Sequence, residues 1–314
     1  MTNRRAAGFR RPAFMNMRKG EIAMRLGALE AGGTKMVCAI GDVDGNIFER
    51  ESFPTRMPAE TMADVVGFFR DKDIEALGVA SFGPLNLNPG SPDYGSITTT
   101  PKPGWSNYPL RQTLMRALDV YVGIDTDVNA AALAEVEAGA GKGLGNLVYY
   151  TIGTGVGGGA VVNRRLVHGL VHPEMGHVLL RPDPRDPAPD GFCPYHKGCL
   201  EGMASGPAIE KRWGKSAREL PEDHVAWEVE AEYLSQLCVT TILMYSPERI
   251  VLGGGVMHQA HLFPRIRRLT LEKLNGYVAH PAILDDIDHY IVPPALGDNA
   301  GAVGGLLLAM EGPL

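Results

Sequence analysis

The sequence lacks the features that would mark a membrane or secreted protein. It has no apolar run approaching the roughly 20 residues of a membrane-spanning helix, and its amino terminus lacks the apolar stretch of a signal peptide. Cysteine is scarce, with four in 314 residues, which excludes a disulfide-stapled scaffold. Hydrophobic residues make up 45% of the chain, enough for two cores. We therefore expect a cytoplasmic protein of two lobes with a cleft between them.

Excess positive charge is also missing from most of the chain. Residues 1–25 hold seven Arg or Lys and one acidic residue, net +6, so the remainder must carry −12 to give the total of −6. An acidic body argues against nucleic acid as a partner. The basic head has no clear helical face and is predicted to be a disordered extension, with a nucleic-acid-binding arm as the alternative. Met17 and Met24 are alternative starting residues.

The chain contains two copies of one pattern, an apolar strand followed by a glycine-threonine turn and a second strand. The first copy starts with the strand Leu26–Glu30 and the second with Leu147–Ile152, which predicts a duplicated unit that begins with a β-hairpin. The other predicted strands are Met36–Gly41, Ile47–Phe53, Ala76–Ala80, Val120–Ile124, Gly158–Val162, Leu166–Val171 and Arg249–Leu252. The predicted helices are Thr61–Asp71, Leu110–Leu118, Asn129–Ala140, Gly206–Trp213, Val225–Tyr245 and Ala300–Met310. Residues 83–104, rich in Gly, Pro, Thr and Asn, are predicted to form a functional surface loop.

Three glycine-rich runs are candidates for binding the phosphates and the base of a nucleotide. Glycine lets backbone N–H groups converge on an anion, and threonine adds a hydroxyl donor. The Gly-x-x-x-x-Gly-Lys-Ser/Thr pattern of the P-loop is absent. Either of the first two turns alone is more typical of an ordinary hairpin, and the third run alone is equally typical of a tight strand-to-helix turn. Together the three runs predict a binding site for ATP. Their residues are Gly32, Gly33, Thr34 and Lys35, then Gly153, Thr154 and Gly155, then Gly253, Gly254 and Gly255.

Two aspartates stand between a predicted strand and a predicted helix, at Asp125 and Asp127. An aspartate at a helix start is often only an N-cap. A carboxylate at the carboxyl end of a strand is also well placed to accept a proton from a substrate hydroxyl. We choose Asp127 as the catalytic base because its position at the start of the helix projects toward the cleft, and Asp125 remains the alternative.

The sequence also predicts a metal centre. Cys193, His196 and Cys199 close on a short loop, and His177 precedes it. Two sulfurs and two imidazoles suit tetrahedral Zn²⁺, and a full set of protein ligands indicates a structural metal. His168 and His172 are alternative fourth ligands. Cys38 and Cys238 lie in apolar runs and are predicted to be buried thiols.

These motifs together resemble the sugar-kinase branch of the ROK family, most closely its zinc-containing fructokinases, over Leu26–Ala309. The resemblance implies an α/β fold of two actin-like or hexokinase-like lobes, built from duplicated ribonuclease-H-like units with mixed sheets and an inserted zinc loop at residues 172–202. Residues 26–126 and 300–314 would form the small amino-terminal lobe, and residues 127–299 the carboxyl-terminal lobe. The resemblance also implies a homodimer, which is the usual state of the family.

The resemblance also assigns roles to individual residues. Sugar contacts are implied for Glu174, His177, Glu201 and Trp105, with His177 also binding zinc. Asp127 falls on the family's catalytic aspartate. Thr126 stands where glucose-type members usually carry Asn, and this departure, together with the run Thr100–Trp105 in the long loop, favours fructose. Glu30 replaces the usual Asp of the first motif and would contact Mg²⁺ indirectly, through water.

The expected activity is therefore transfer of the γ-phosphoryl group of ATP to fructose, with Mg²⁺ and structural Zn²⁺. Mannose, glucose or an N-acetylhexosamine are alternative substrates. A non-catalytic sugar-responsive regulator is a second hypothesis, although 25 residues are too few for a helix-turn-helix region. A hydrolase with catalytic zinc ranks last, because four protein ligands leave no open coordination position.

Overall fold

Two five-stranded sheets organise the part of the chain that this computed structural model describes, residues 24–311. Residues 1–23, which make up most of the predicted basic extension, and residues 312–314 lie outside the described residues. Among the described helices, none combines the length and apolar character needed to cross a membrane.

The first sheet has the strand order β3-β2-β1-β4-β5. Its strands are β1 Leu26–Ala31, β2 Lys35–Gly41, β3 Ile47–Pro54, β4 Ala76–Ser81 and β5 Tyr121–Thr126. The first three form an antiparallel meander, and β4 and β5 extend the sheet in parallel from β1. All six residues of β4 are buried, as expected for a parallel strand that is covered on both faces.

The second sheet repeats this topology with the order β10-β9-β6-β7-β8. Its strands are β6 Leu147–Ile152, β7 Val156–Val162, β8 Arg165–Leu166, β9 Arg249–Gly253 and β10 Ile291–Val292. Again an antiparallel meander is extended by two parallel strands. The predicted α/β fold with duplicated, mixed sheets is therefore confirmed. The predicted strand over residues 166–171 is wrong beyond Leu166, since Leu170 and Val171 are exposed and do not join the sheet.

Ten α-helices lie in the described part of the chain. They are α1 Pro58–Phe69, α2 Leu110–Leu118, α3 Asp127–Ala138, α4 Leu200–Ala204, α5 Gly206–Trp213, α6 Ala226–Tyr245, α7 Leu262–Leu274, α8 Pro281–Leu284, α9 Ile287–Tyr290 and α10 Ala300–Met310. The last of these packs against β1, β4 and β5. A Cβ on Gly78 of β4 would lie 1.8 Å from the carbonyl oxygen of Gly305, so only glycine permits this close approach of helix and sheet.

The chain divides into two compact units. The first unit comprises residues 24–134, 170–172 and 299–311, and the second comprises residues 135–169 and 173–298. Each has a hydrophobic core of its own. The division falls inside α3, whereas the sequence placed it at Asp127. The physical reason is that the first turns of α3 pack within the first unit, where a Cβ on Gly304 would lie 2.2 Å from the Ala130 oxygen.

Candidate active site and metal centre

The carboxyl edge of the first sheet gathers three predicted elements of the first unit. Ala31 of β1 pairs with Ser81 of β4, and Ser81 pairs with Thr126 of β5. Three segments therefore lie side by side at this edge. They are the glycine turn that follows β1, the long loop that follows β4, and the start of α3 at Asp127, which follows β5. With strands about 4.8 Å apart, the turn and Asp127 are separated by about 10 Å at this edge.

The first glycine turn, residues 32–35, links β1 to β2 and presents its central residues to solvent. The Gly32 N–H donates to the Lys35 oxygen at 3.0 Å. Thr55 holds the turn from the side, because its hydroxyl donates to the Gly32 oxygen at 2.7 Å and its N–H donates to the Thr34 oxygen at 2.8 Å. No local sequence pattern indicates this role of Thr55, because its position depends on the pairing of β2 with β3.

The two candidate aspartates occupy different environments. Asp125 is buried, and its Oδ1 accepts from the Thr126 N–H at 2.7 Å and from Asn129 Nδ2 at 2.8 Å. The Thr126 hydroxyl accepts from the Asn129 N–H at 3.2 Å, so Thr126 supplies the cap of α3. Asp127 is the first helical residue and is half-buried. Of the two carboxylates, Asp127 is the one more open to a ligand.

Glu30 and Trp105, two other predicted site residues of the first unit, differ in the exposure of their side chains. Glu30 on β1 is half-buried, and its carboxyl carbon would lie 2.6 Å from a Cβ on Gly301 in the first turn of α10. Trp105 has 0% exposure, and its indole N–H donates to the Arg56 oxygen at 2.8 Å. The Trp105 side chain therefore offers no surface to a sugar in this structure. Its sugar contact stays a prediction, and in this structure Trp105 packs within the long loop.

The carboxyl edge of the second sheet brings the other two glycine runs into contact. The turn at residues 153–155 follows β6, and the run at residues 253–255 follows β9, its parallel neighbour. Gly254 has a φ of +88°, and a Cβ on it would lie 2.4 Å from the Ile152 oxygen. The Gly153 oxygen accepts from the N–H of Gly206 at the start of α5. Apart from the Thr154 side chain, these runs form a surface of glycine backbone next to a helix start, an arrangement that suits phosphate.

Glu201 lies against the second glycine turn. Its Oε2 accepts from the Val156 N–H at 3.1 Å, and a Cβ on Gly155 would lie 2.7 Å from the same oxygen. A cavity of about 130 Å³ adjoins this contact. Its lining includes Thr154, Cys193, Glu201, Ser205 and Lys211. A residue predicted to bind phosphate and one predicted to bind sugar thus line one cavity of the second unit.

The segment Glu174 to His177 ends in a 3-10 turn packed on β7. A Cβ on Gly176 would lie 1.8 Å from the Val156 oxygen, so the turn rests directly on the strand. The segment then pairs with the residues around Cys199, since the Leu200 N–H donates to the Val178 oxygen at 2.9 Å and Leu179 bridges to Cys199. This pairing places His177 beside Cys199, which precedes Glu201 by two residues in the chain.

The four predicted metal ligands converge. The ligand atoms of His177, Cys193, His196 and Cys199 all lie within 4.8 Å of one another. His177 Nδ1 is 3.9 Å from Cys193 Sγ and 3.6 Å from Cys199 Sγ. His196 Nδ1 is 3.7 Å from Cys193 Sγ. A tetrahedral ion bound at about 2.3 Å to sulfur and about 2.0 Å to nitrogen separates such pairs by about 3.6 Å, so the donor set fits a zinc-type site.

The structure also decides between the alternative fourth ligands. His172 belongs to the first unit, where its Nε2 accepts from the Leu85 N–H at 3.1 Å. The group of four contains neither His172 nor His168. Burial raises the pKa of the Cys199 thiol to about 11, so a cation in the cluster would be what favours its thiolate.

A buried ion pair supports the loop between His177 and Cys193, and the sequence analysis missed it. Asp186 in this loop accepts from Arg212 Nε at 2.7 Å, and both side chains are almost fully buried. Tyr233 donates to the other oxygen of Asp186 at 2.5 Å. Arg212 also donates to the Met203 oxygen at 2.7 Å, and therefore ties the ligand loop to α4. Residues far apart in the sequence meet here, so no local pattern could reveal the contact.

Comparison with known proteins identifies the family of this chain. A model of the ROK family matches residues 26–311. The fructokinase of Pediococcus pentosaceus is 45% identical over 286 residues, which cover 91% of this chain and 98% of the relative. The fructokinase of Zymomonas mobilis is 45% identical over 292 residues, covering 90% and 96%. The crystal structure of the ROK hexokinase of Thermus thermophilus matches with a TM-score of 0.74 at 28% identity, covering 91% and 98%.

Proposed function

This chain belongs to the ROK family, and we propose that it is an ATP-dependent fructokinase that forms fructose 6-phosphate from D-fructose and Mg-ATP. The observation that carries the proposal is 45% identity to fructokinases over at least 90% of the chain. The family also includes other sugar kinases, so mannose, glucose and N-acetylhexosamines remain substrates for the test. A sugar-responsive regulator without activity is disfavoured by the half-buried carboxylate of Asp127 at the sheet edge.

Asp127 is the proposed catalytic base. The oxygen of the fructose 6-hydroxyl attacks the γ-phosphorus of ATP, and the bond from that phosphorus to the β–γ bridging oxygen breaks, which releases ADP. The hydroxyl proton passes to the Asp127 carboxylate. Asp125 is less suited to this role because its side chain is buried and its Oδ1 accepts two hydrogen bonds, from Thr126 and Asn129, whereas the half-buried Asp127 accepts one at its Oδ1, from the Val128 N–H.

The three glycine runs are the proposed ATP-binding residues. Exposed N–H groups in the turn at residues 32–35, with the charge of Lys35, would bind phosphate oxygens, and the runs at residues 153–155 and 253–255 provide glycine backbone and the Thr154 hydroxyl. Glu30 is an oxygen ligand of the kind that Mg²⁺ prefers, held directly or through water. Bound Mg²⁺ would neutralise charge on the phosphates.

The Cys and His cluster is the proposed zinc centre, and its role is structural. Its four protein ligands, His177, Cys193, His196 and Cys199, complete a tetrahedral set. A bound zinc ion would crosslink the segment that carries Glu174 and His177 to the one that carries Glu201. These three side chains are the proposed contacts to sugar hydroxyls. We further propose that the protein works in the cytoplasm, where ATP is available, as a homodimer.

Fructose-dependent release of ADP from Mg-ATP tests the proposal. We expect turnover by the wild type, and a loss of about 10²- to 10⁴-fold in kcat for Asp127→Asn, the contribution typical of a general base. Asp125→Asn is the matched control, because asparagine keeps the Oδ1 acceptor and turnover should persist. Mannose, glucose and N-acetylmannosamine are measured in parallel. Absence of turnover with every sugar would overturn the kinase assignment, and a loss in Asp125→Asn alone would move the base to Asp125.

A further inference from the structure

Lys102 lies in the long loop between β4 and α2 and reaches the first glycine turn. Its ammonium group donates a hydrogen bond to the backbone oxygen of Gly33. The two residues are 69 positions apart in the sequence, so only the fold brings them together. This contact places a second cation at a turn that already carries Lys35.

The part of the loop that carries Lys102 is firmly anchored. Trp105 is fully buried and packs edge-on against Phe82 and Tyr108. Its backbone N–H donates to the Lys102 oxygen at 3.1 Å, which closes a tight turn. Its indole N–H holds the Arg56 oxygen. The Lys102 backbone is therefore fixed close to the glycine turn rather than left on a solvated tip.

The hydrogen-bond donors of Lys102 and of the first glycine turn indicate a binding site for an anion. Within residues 24–311, no carboxylate forms an ion pair with Lys102, and the N–H groups of Gly33 and Thr34 donate to no protein acceptor. An ammonium group has three donors, of which the Gly33 oxygen uses one. A charge-assisted bond to phosphate is roughly twice as strong as a bond to a neutral carbonyl. A phosphoryl oxygen would therefore compete well for Lys102.

We propose that Lys102 binds the γ-phosphoryl group of ATP and stabilises it during transfer, with the Gly33 carbonyl serving as the resting partner of the ammonium group. The inference rests on the proposed kinase function. The location agrees with it, because the turn and Asp127 lie on the same edge of the first sheet, about 10 Å apart. The attacking hydroxyl at Asp127 and the phosphoryl group at Lys102 would then meet at that edge. Lys102 forms no bond to phosphorus and leaves the atom balance of the reaction unchanged.

Lys102→Met is the variant that tests the proposal, with Lys102→Arg as the conservative variant. We expect kcat to fall about 10²- to 10³-fold in Lys102→Met, the usual effect of removing one donor to transition-state charge, with the KM for fructose within about threefold of wild type. Lys102→Arg should recover at least tenfold in kcat. Lys72→Met is the matched control, since Lys72 is another lysine of the first unit and pairs with Glu49 on β3.

A binding measurement separates this role from a merely structural tether. Calorimetric titration with Mg-ATP and Mg-ADP, without sugar, should show Lys102→Met weakening ATP at least tenfold more than ADP, because only ATP has the γ-phosphoryl group. Wild-type kcat in Lys102→Met, or equal losses of ATP and ADP affinity, would overturn the proposal. If the wild type phosphorylates no sugar, the kinase assignment fails, and the ATP-to-ADP comparison still decides whether Lys102 binds the γ-phosphoryl group.

Discussion

Gly254 shapes the nucleotide-binding surface that we propose, because its backbone conformation requires glycine. Its φ of +88° and ψ of 169° lie in a region that only glycine occupies readily. A methyl group there would also overlap the backbone of Ile152, which an ideal Cβ would approach to 2.4 Å. We expect Gly254→Ala to lower the free energy of unfolding by more than about 1 to 3 kcal/mol, the cost of the backbone strain alone, and to weaken binding of Mg-ATP.

The neighbouring glycine provides the matched control for stability. A Cβ on Gly255 meets nothing within 4 Å, so Gly255→Ala should leave the melting temperature close to that of the wild type. Thermal unfolding of both variants makes the comparison. Equal melting temperatures for Gly254→Ala and the wild type would show that the β6–β9 contact is more plastic than this backbone geometry implies.

Individual residues also show where sequence reasoning reaches its limit. The choice of Asp127 over Asp125 rested on its place at the helix start, and the burial of the two carboxylates now supports that choice. Asp127 as the base stays a prediction. Trp105 was assigned through the family resemblance, on the run Thr100–Trp105, and such a motif does not reveal whether an indole faces a ligand or the core. Exposure depends on residues such as Phe82 and Arg56, which lie outside that motif.

At the scale of elements, α3 carries a further carboxylate, Glu135, with a task distinct from that of Asp127. Glu135 is fully buried, and its two oxygens accept from the N–H groups of Ala140 at 2.6 Å, Ala295 at 3.1 Å and Leu296 at 3.0 Å. These hydrogen bonds hold the loop that follows β10. The Pro294 ring of this loop would lie 3.1 Å from a Cβ on Gly253. We infer that Glu135 positions the loop beside the proposed ATP-binding glycine run.

Glu135→Gln should therefore affect ATP more than sugar. The amide nitrogen of glutamine cannot accept, so at least one buried N–H is left unpaired, at a cost of about 1 to 3 kcal/mol. We expect the KM for Mg-ATP to rise about tenfold while the KM for fructose stays within about twofold. Steady-state kinetics with each substrate varied in turn provides the measurement.

Glu248 provides a control for the substitution of Glu135. Its Oε2 accepts from the N–H groups of Gly145 at 2.7 Å and Asn146 at 2.8 Å, a similar pattern at the entry to β6. Glu248→Gln should lower stability without a selective change in the KM for Mg-ATP. Equal effects of the two substitutions on that KM would reduce the role of Glu135 to general stability.

Elements were more predictable than the contacts between them. The hairpins and the helix over residues 300–310 followed from local periodicity and glycine placement, because these signals act within a few residues. α7 was missed, and the strand over residues 166–171 was overextended. An apolar residue such as Leu170 can remain exposed, so an apolar pattern alone does not establish that a segment joins a sheet.

At the scale of the whole molecule, each unit has its own sheet and core, and the Cys and His cluster belongs to the second unit alone. Removing a metal from that cluster should therefore act first on the second unit. We expect about one zinc ion per chain by elemental analysis, and its loss in Cys193→Ser. Cys238→Ala is the matched control, because Cys238 is buried and lies outside the cluster, and this variant should keep the metal.

Hydrogen exchange then localises the consequence of metal removal. In protein stripped by a chelator, exchange should accelerate in residues 173–205, which carry the ligands and the proposed sugar contacts, while β1 to β5 keep their protection. The KM for fructose should rise more than the KM for Mg-ATP, because a metal would hold His177 and Glu201 in register. Metal-free protein with unchanged exchange would make the cluster dispensable for structure, and loss of protection in β1 to β5 would show that the second unit's stability controls that of the first.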